Sequence, residues 1–295
     1  MSSSKRLKVA ISISPLCRIT EFNLAADIIR SGLESTNTLD WQQQSLGAAS
    51  ESQLTGLTVP IIKQCIGAPP PPGRTADVTL CGIDIGRSED FIWVCDFYKP
   101  LSHERLAPID VFERSIRVVR FGGGIMRSDL KDKLTKFGIT YGLIDNEPSR
   151  ESSMEICRNS CLEMADQRPG LRNPVQKVVV EDGGISYDCW AIRNEKFLSA
   201  VLENFIIRSP VDNLPLYRLP AEWERWVTNN SPASPLVHLT GPSRDPVNGK
   251  WQRGPGNNDD LFYSAAFCES SFYLHLTEKP DQPYEYYGSQ TFHTY

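Results

Sequence analysis

The sequence has no excess of positive charge and no long apolar run. Its 295 residues include 31 Lys and Arg against 36 Asp and Glu, a formal net charge of -5. No overall basic field therefore attracts a polyanion, and such a partner would need local basic patches or bridging metal ions. No stretch reaches the ~18 apolar residues of a membrane span, and the opening MSSSKRLKVA lacks the apolar core of a signal peptide. We expect a soluble, cytoplasmic protein with no membrane partner.

Motifs of several common catalytic sites are missing as well. The eight cysteines are scattered, and Cys157 and Cys161 have neither a second pair nor a suitably spaced histidine to complete a zinc site. We therefore expect reduced, structural thiols. The four histidines form no metal-binding pair, and no G-x-S-x-G elbow occurs. The Gly-Lys pair of VNGKWQ lacks the glycine spacing and the hydroxyl of a G-x-x-x-x-G-K-[ST] phosphate loop.

Composition divides the chain into four parts. Residues 1–66 hold few strand signals and are expected to form a helical or irregular linker segment. The stretch GAPPPPG opens a proline-rich spacer at 67–75, because consecutive prolines exclude both helix and central strand. Residues 76–277 are expected to form one domain, followed by a polar tail at 278–295.

Hydrophobic patterning within that domain predicts both strands and helices. The runs DVTLCGIDIG and FIWVCDF, joined by the turn RSED, predict a β-hairpin, and a third strand, VFERSIRVVR, is predicted to end at the glycines of FGGG. The later patterns predict a helix from the N-cap Ser128 to Gly138, a strand closing on Asp145, a helix over 149–161, a strand over 174–182, helices over 193–207 and 219–230, and a last helix over 259–274. This order predicts an α/β domain with a mixed sheet flanked by helices. Its first three strands are antiparallel and its later strands arrive by parallel crossovers.

Two aspartates stand at strand positions that are otherwise apolar. Asp84 lies inside GIDIG and Asp145 closes YGLID. A buried carboxylate costs several kcal/mol unless its charge is compensated. If the two strands are neighbours, the carboxylates approach each other, and their repulsion raises a pKa or recruits a cation. Because the ligands are hard oxygens, the expected cation is Mg²⁺ or Mn²⁺.

A second acidic feature opens the last helix. Asp259 and Asp260 precede LFYSAAF after a long polar loop. Carboxylates at this position cap free amides and suit the helix dipole, so capping alone would account for the pair. The combination with Asp84 and Asp145 is what suggests a site.

The acidic motifs and their order resemble the RNase H-like nuclease domain of the large subunit of viral DNA-packaging terminases. The matching segments are GIDIGRSEDFIWVCDF, GLIDNEPS and DDLFYSAAF, and IRNEKFLSAVLENF followed by LYRLPAEWERWV also resembles the family. The resemblance covers residues 76–276. It implies an RNase H-like fold and a two-metal-ion endonuclease that cuts double-stranded DNA.

The resemblance also implies roles for individual residues. Two Mg²⁺ or Mn²⁺ ions would activate a water and stabilise the leaving oxygen of the phosphodiester. Asp84 would bridge the ions, Asp145 would bind one, and Asp259 the other with support from Asp260. Flanking phosphates would be held by basic residues, for which the candidates are Arg87, Arg150, Arg244, Lys250 and Arg253.

The missing phosphate loop limits what this chain is expected to do alone. It would be a nuclease portion of phage or prophage type, acting in the host cytoplasm. A separate or missing terminase ATPase, a portal and a small subunit would be its partners.

Two other functions remain open at this point. GIDIGRS also resembles the first phosphate loop of actin-like ATPases and sugar kinases, and VVVEDGG resembles a degenerate second loop in which Ile185 replaces the usual glycine or hydroxyl. That alternative leaves Asp145 and the aspartate pair without a role. A transposase-like or resolvase-like nuclease would use similar acids, and a protein that kept this fold without activity would keep acids that do not converge.

Overall fold

A computed structural model describes most of the chain from Thr55 to Glu278. The described residues are 55–86, 89–101, 106–182, 185–228, 231, 234–245, 249–253 and 259–278, without the side chains of 182 and 185. Arg87, most of the expected N-terminal segment and nearly all of the expected tail lie outside these ranges.

The described ranges contain one large sheet and a small hairpin. The eight strands of the sheet are β1 (Val78–Asp84), β2 (Asp90–Tyr98), β3 (Ile116–Ile125), β4 (Tyr141–Asp145), β5 (Leu162–Gln167), β6 (Val175–Asp182), β7 (Ile185–Ile192) and β8 (Tyr217–Arg218). Their order across the sheet is β6-β7-β5-β4-β1-β2-β3-β8. The hairpin pairs β9 (Ser243–Arg244) with β10 (Trp251–Gln252).

Seven helices accompany the strands in the part of the chain that is described. They are α1 (Val59–Cys65), α2 (Pro108–Arg114), α3 (Leu130–Phe137), α4 (Arg150–Arg158), α5 (Asn194–Ile206), α6 (Pro235–Thr240) and α7 (Asp260–Thr277), and 3₁₀ turns span Arg127–Asp129 and Ala221–Trp226. None of the helices described is both long and apolar enough to cross a membrane.

Strand pairing confirms the predicted mixed α/β sheet. β1 pairs with β2 and β2 with β3 in antiparallel fashion, whereas β1 and β4, and β4 and β5, are parallel. Beyond this core, β7 joins β5 in parallel, β6 closes one edge antiparallel to β7, and β8 joins β3 in parallel at the other edge.

Helices cover the two faces of the central strands. On one face, Cys81, Ile83 and Ile85 pack with α3 and α4 in an apolar cluster that includes Leu130 and Leu134. On the other face, α7 lies directly on β1, β2 and β4, and α5 packs against α7. Successive side chains of β1 point to opposite faces, so Gly82 and Asp84 share the face on which α7 lies.

Gly82 permits an unusually close approach of α7 to the sheet. A Cβ atom at this position would lie 2.1 Å from the carbonyl oxygen of Ser264 and 2.2 Å from the amide nitrogen of Cys268. The helix backbone therefore occupies the space that any other side chain would fill. The Ser271 hydroxyl, further along α7, donates a hydrogen bond of 3.0 Å to the carbonyl oxygen of Cys81.

A buried ion pair fixes α7 from its middle. Glu269 and Arg117 of β3 are both fully buried, with 2.7 Å between Arg117 Nε and Glu269 Oε1 and 3.0 Å between Nη2 and Oε2. Tyr217 and Asn204 also donate to Glu269 Oε1, at 2.6 and 3.3 Å. The carboxylate is thus well satisfied, which a buried charge requires.

Residues 55–66, which directly precede the proline-rich stretch, belong to the same compact unit as the sheet. Ile62 and Cys65 of α1 are fully buried. The Cys65 thiol donates to the carbonyl oxygen of Phe205 in α5 at 3.5 Å, and the Cys65 carbonyl accepts from the amide of Leu219 at 2.8 Å. Helix α1 therefore packs against α5 and the chain that follows β8.

Several predicted boundaries were wrong. The third strand does not begin at VFER, which ends α2, and it does not stop at the glycines, since Gly122, Gly123 and Gly124 pair with β2. A Cβ at Gly122 would lie 2.9 Å from Trp93 and 3.0 Å from Trp223, so glycine here admits two tryptophans instead of ending the strand. Ser128 is not an N-cap, because a 3₁₀ turn at Arg127–Asp129 precedes α3.

The helical predictions also needed correction. Helix α4 ends at Arg158, and the chain then enters β5, which the sequence did not predict; β7 was missed as well. The stretch predicted as a helix over 219–230 forms a 3₁₀ turn at Ala221–Trp226. Gly138, by contrast, does end α3, in the left-handed conformation with φ 63°.

Candidate functional site

Asp84 and Asp145 lie side by side at the ends of two parallel strands. Ile83 of β1 pairs with Ile144 of β4, and each aspartate is the next residue of its strand. Parallel strands in register place such neighbours on the same face. Both carboxylates therefore stand on the α7 side of the sheet, at its carboxyl-terminal edge.

The N-terminus of α7 is held over the same edge. The Ser264 hydroxyl donates a hydrogen bond of 2.9 Å to the carbonyl oxygen of Phe91, which is the β2 partner of Asp84. Asp260 lies one helical turn before Ser264. Together with the close contact at Gly82, this bond brings the aspartate pair of α7 towards Asp84.

The negative charges of Asp145, Asp260 and Asp259 act on the carboxyl of Asp84. Burial raises the pKa of Asp84 well above its usual value, and the negative charges of Asp145, Asp260 and Asp259 raise it further. Burial likewise raises the pKa of Asp145 to about 7, against the backbone amides of Glu147 and Asn146, which hydrogen-bond its carboxylate. The sequence prediction that these acids come together agrees with the effect of the other three charges on Asp84.

The two aspartates at the start of α7, the N-cap Asp259 and the first helical residue Asp260, differ in their surroundings. Asp259 is 1% exposed, and neither of its carboxylate oxygens accepts a hydrogen bond from the residues described. Asp260 is partly exposed, and its Oδ2 lies 3.6 Å from Nδ1 of His238. Burial raises the pKa of both carboxyls. Arg253 lies 3.4 Å from Oδ2 of Asp259 as an ion pair, and the acceptor capacity of this carboxylate is otherwise unused.

Tyr263 completes this side of the cluster, and sequence reasoning missed it. Burial raises the pKa of its hydroxyl, the charge of Asp259 adds to the effect, and a hydrogen bond with Asn194 opposes it. Tyr263 lies one turn after Asp259 in α7, and this spacing was the signal that could have identified it.

Sequence reasoning also missed a buried ion pair beside the turn that follows β1. Asp90 is completely buried, and Arg127 binds it with both Nε and Nη2, at 3.0 and 2.8 Å. Arg127 Nη2 also donates to the carbonyl oxygen of Gly86 at 3.4 Å. A Cβ at Gly86 would lie 2.0 Å from the carbonyl oxygen of Glu89, so only glycine fits the turn that follows Asp84.

The candidate phosphate-binding residues fall into different places. Arg253 reaches the acids, with its Nε 3.4 Å from Asp259 Oδ2. Arg150 opens α4, shortly after Asp145, and pairs with Glu147 at 2.9 Å. Arg244 donates from Nε to the carbonyl oxygen of Gly249 at 2.9 Å.

Lys250 is exposed beside β10. The position of Arg87 lies outside the described residues.

The oxygen donors of the cluster suit a hard divalent cation, although the side chains are not arranged around a common point. Within the described ranges, no group of three or more His, Cys, Asp or Glu side chains is arranged to hold a metal ion. The charges of Asp145, Asp260 and Asp259 nonetheless act on Asp84, and both oxygens of Asp259 lack hydrogen bonds from described residues. Oxygen donors of this kind suit Mg²⁺ or Mn²⁺, and holding one would require the side chains to draw closer together.

No protein-family model matches the chain, and the search of curated proteins found no significant match.

Proposed function

We propose that the protein is a metal-dependent endonuclease that cuts double-stranded DNA, of the type found in the nuclease domain of terminase large subunits. The observation that carries the proposal is the convergence of Asp84, Asp145 and the aspartate pair of α7 at one edge of the sheet. The charges of the other three acids raise the pKa of Asp84, which favours the binding of a proton or a cation there.

The strand order supports the RNase H-like architecture that the resemblance implies. The central strands run β3-β2-β1-β4-β5, with three antiparallel strands followed by two parallel ones. The first and fourth of these strands in chain order carry the two strand aspartates, and a helix packed on them carries the other pair.

The residues of the cluster have distinct proposed tasks. Asp84 lies at the centre, because the charges of the other three acids all act on it, and it would share a bound cation with Asp145 and with Asp259. Asp260, held near His238, would support Asp259. Bound divalent ions would supply an activated water and stabilise the leaving oxygen.

Other residues would prepare the site without binding the ion. Arg127 and Asp90 hold the turn at Gly86, which fixes the direction in which β1 ends. Arg150 pairs with Glu147, two residues after Asp145 in the sequence, and Arg253 lies beside Asp259; either could neutralise a flanking phosphate. Both arginines pair with acids here and would exchange those partners for DNA.

The proposal assigns translocation of DNA to other proteins. In this scheme an ATPase motor, a portal and a small subunit act with this chain, which contains no G-x-x-x-x-G-K-[ST] loop in its 295 residues. The nuclease reaction itself needs no nucleotide.

Cleavage of supercoiled plasmid tests the function directly. With Mn²⁺ or Mg²⁺ the protein should nick or linearise the plasmid, and Asp84→Asn should reduce the rate at least about 100-fold, as loss of a central electrostatic group does. Asp132→Asn, on the exposed surface of α3, is the matched control and should cut normally. Cutting in EDTA, or undiminished cutting by a folded Asp84→Asn protein, would refute the mechanism. ATP hydrolysis without cleavage would favour the actin-like or sugar-kinase alternative.

A further inference from the structure

Arg253 lies over the most deeply buried acid of the cluster. Its Nε is 3.4 Å from Asp259 Oδ2, and its side chain is 63% exposed whereas that of Asp259 is 1% exposed. The guanidinium carbon also stands 5.7 Å from the ring centroid of Tyr263. The aromatic face and the carboxylate together hold the cation at the mouth of the site.

The charge of Arg253 reaches beyond its ion-pair partner. Its positive charge acts on Asp84 and Asp260 as well as on Asp259. One guanidinium therefore offsets part of the repulsion among three carboxylates. A bound divalent ion would perform the same task with twice the charge.

We propose that Arg253 is the counter-cation of the acid cluster in the metal-free protein, and that a divalent ion must displace it in order to bind. This inference rests on the proposed function, because it takes the cluster to be a divalent-ion site. Displacement would leave the guanidinium, on its exposed stem, free to meet a phosphate of the substrate. Arg253 would then act in both states of the site, first on carboxylates and afterwards on DNA.

Competition of this kind lowers the apparent affinity for the ion. The ion binds the fraction of molecules in which the arginine has left, so the dissociation constant rises by the inverse of that fraction. For a half-exposed ion pair we expect an effect of about 3- to 10-fold. Neutralising the arginine should therefore tighten binding of the ion, whereas the loss of an ordinary structural ion pair would not.

Mn²⁺ binding to the full chain, measured by electron paramagnetic resonance at about 0.15 M salt, tests the proposal. Arg253→Gln should bind the ion about 3- to 10-fold more tightly than the wild type. Arg253→Lys, which keeps the charge, should remain within about twofold of the wild type. Lys131→Gln removes an exposed charge of α3, outside the acid cluster, and is the control; it too should stay within about twofold.

Thermal unfolding supplies a second readout that does not depend on cleavage. In EDTA, Arg253→Gln should unfold at a lower temperature than the wild type, because the acids have lost their counter-cation. Saturating Mn²⁺ should raise its unfolding temperature by more than it raises that of the wild type.

The outcomes separate this inference from the proposed function. Equal Mn²⁺ affinities in the wild type and Arg253→Gln would overturn the role of Arg253 and leave the metal site standing. Weaker binding by a folded Arg253→Gln protein would also overturn it. If no variant binds Mn²⁺ up to millimolar concentration, both the counter-cation role and the metal-dependent nuclease are refuted.

Discussion

Replacing Gly82 with alanine tests whether the direct contact between β1 and α7 holds the fold and the site together. The added Cβ would lie 2.1 and 2.2 Å from backbone atoms of the helix, which cannot rotate away as a side chain can. Cβ contacts shorter than 3.0 Å are essentially never found, so α7 would have to retreat by about 1 Å.

The cost of that retreat can be estimated from the contacts it disturbs. Overpacking of a core by one methyl group typically costs about 1–3 kcal/mol. The Ser264 bond to Phe91 at 2.9 Å and the Ser271 bond to Cys81 at 3.0 Å would also lengthen, and each contributes about 1 kcal/mol. We therefore expect Gly82→Ala to lower the free energy of unfolding by about 2–4 kcal/mol, and the midpoint of thermal unfolding by roughly 5–15 °C.

Urea denaturation followed by circular dichroism measures the loss. Gly123→Ala is the matched control, because it places the same methyl group in β3, where its nearest neighbour is the far end of the Phe121 ring at 3.7 Å. The retreat of α7 would also carry Asp260 away from Asp84, so metal-dependent cleavage should fall further than stability alone requires. If Gly82→Ala stays within about 0.5 kcal/mol of the wild type, or matches the control, the close packing of helix on strand is not what stabilises this domain.

Two further predictions concern buried charge. Arg117→Met should lower the free energy of unfolding by about 3–5 kcal/mol, because Glu269 is left buried without its cation. In urea denaturation, the double variant with Glu269→Gln should recover part of that loss. A double variant no more stable than the single one would contradict this account. Burial raises the pKa of Asp145 to about 7 from 3.8, so the folded protein holds this proton where the unfolded chain has released it, and stability in EDTA should fall as the pH rises from 4 to 7. Asp145→Asn should reduce that slope, whereas an identical pH dependence would show that Asp145 ionises freely.

The features that the sequence predicted are those that depend on local pattern. The hairpin of β1 and β2 follows from two apolar runs around a short polar turn, and Gly138 ends α3 because glycine adopts positive φ at little cost. The acids of the site were also recognisable, since Asp84 and Asp145 interrupt apolar strands. Their meeting required one further assumption, that the two strands are neighbours, and the pairing of β1 with β4 bears it out.

The features that were missed depend on distant partners. Strand β5 contains Glu163, which looks like a surface residue in the sequence but accepts hydrogen bonds from Tyr141, at 2.8 Å, and Trp190. Likewise, the sequence around Glu269 does not indicate that its partner is Arg117, which lies 152 residues away. Periodicity cannot reveal a charge that is buried because something far along the chain neutralises it.

The seating of α7 on β1 also bears on how the chain acquires its fold. The hydrogen bond between Ser271 and Cys81 spans 190 residues, and that between Ser264 and Phe91 spans 173. During synthesis, the face of the central strands that α7 covers therefore stays exposed to solvent until α7 has left the ribosome. Contacts of such long range make folding slow. Newly made chains of this protein should be most vulnerable to aggregation, and most dependent on chaperones, in the interval before that last helix docks.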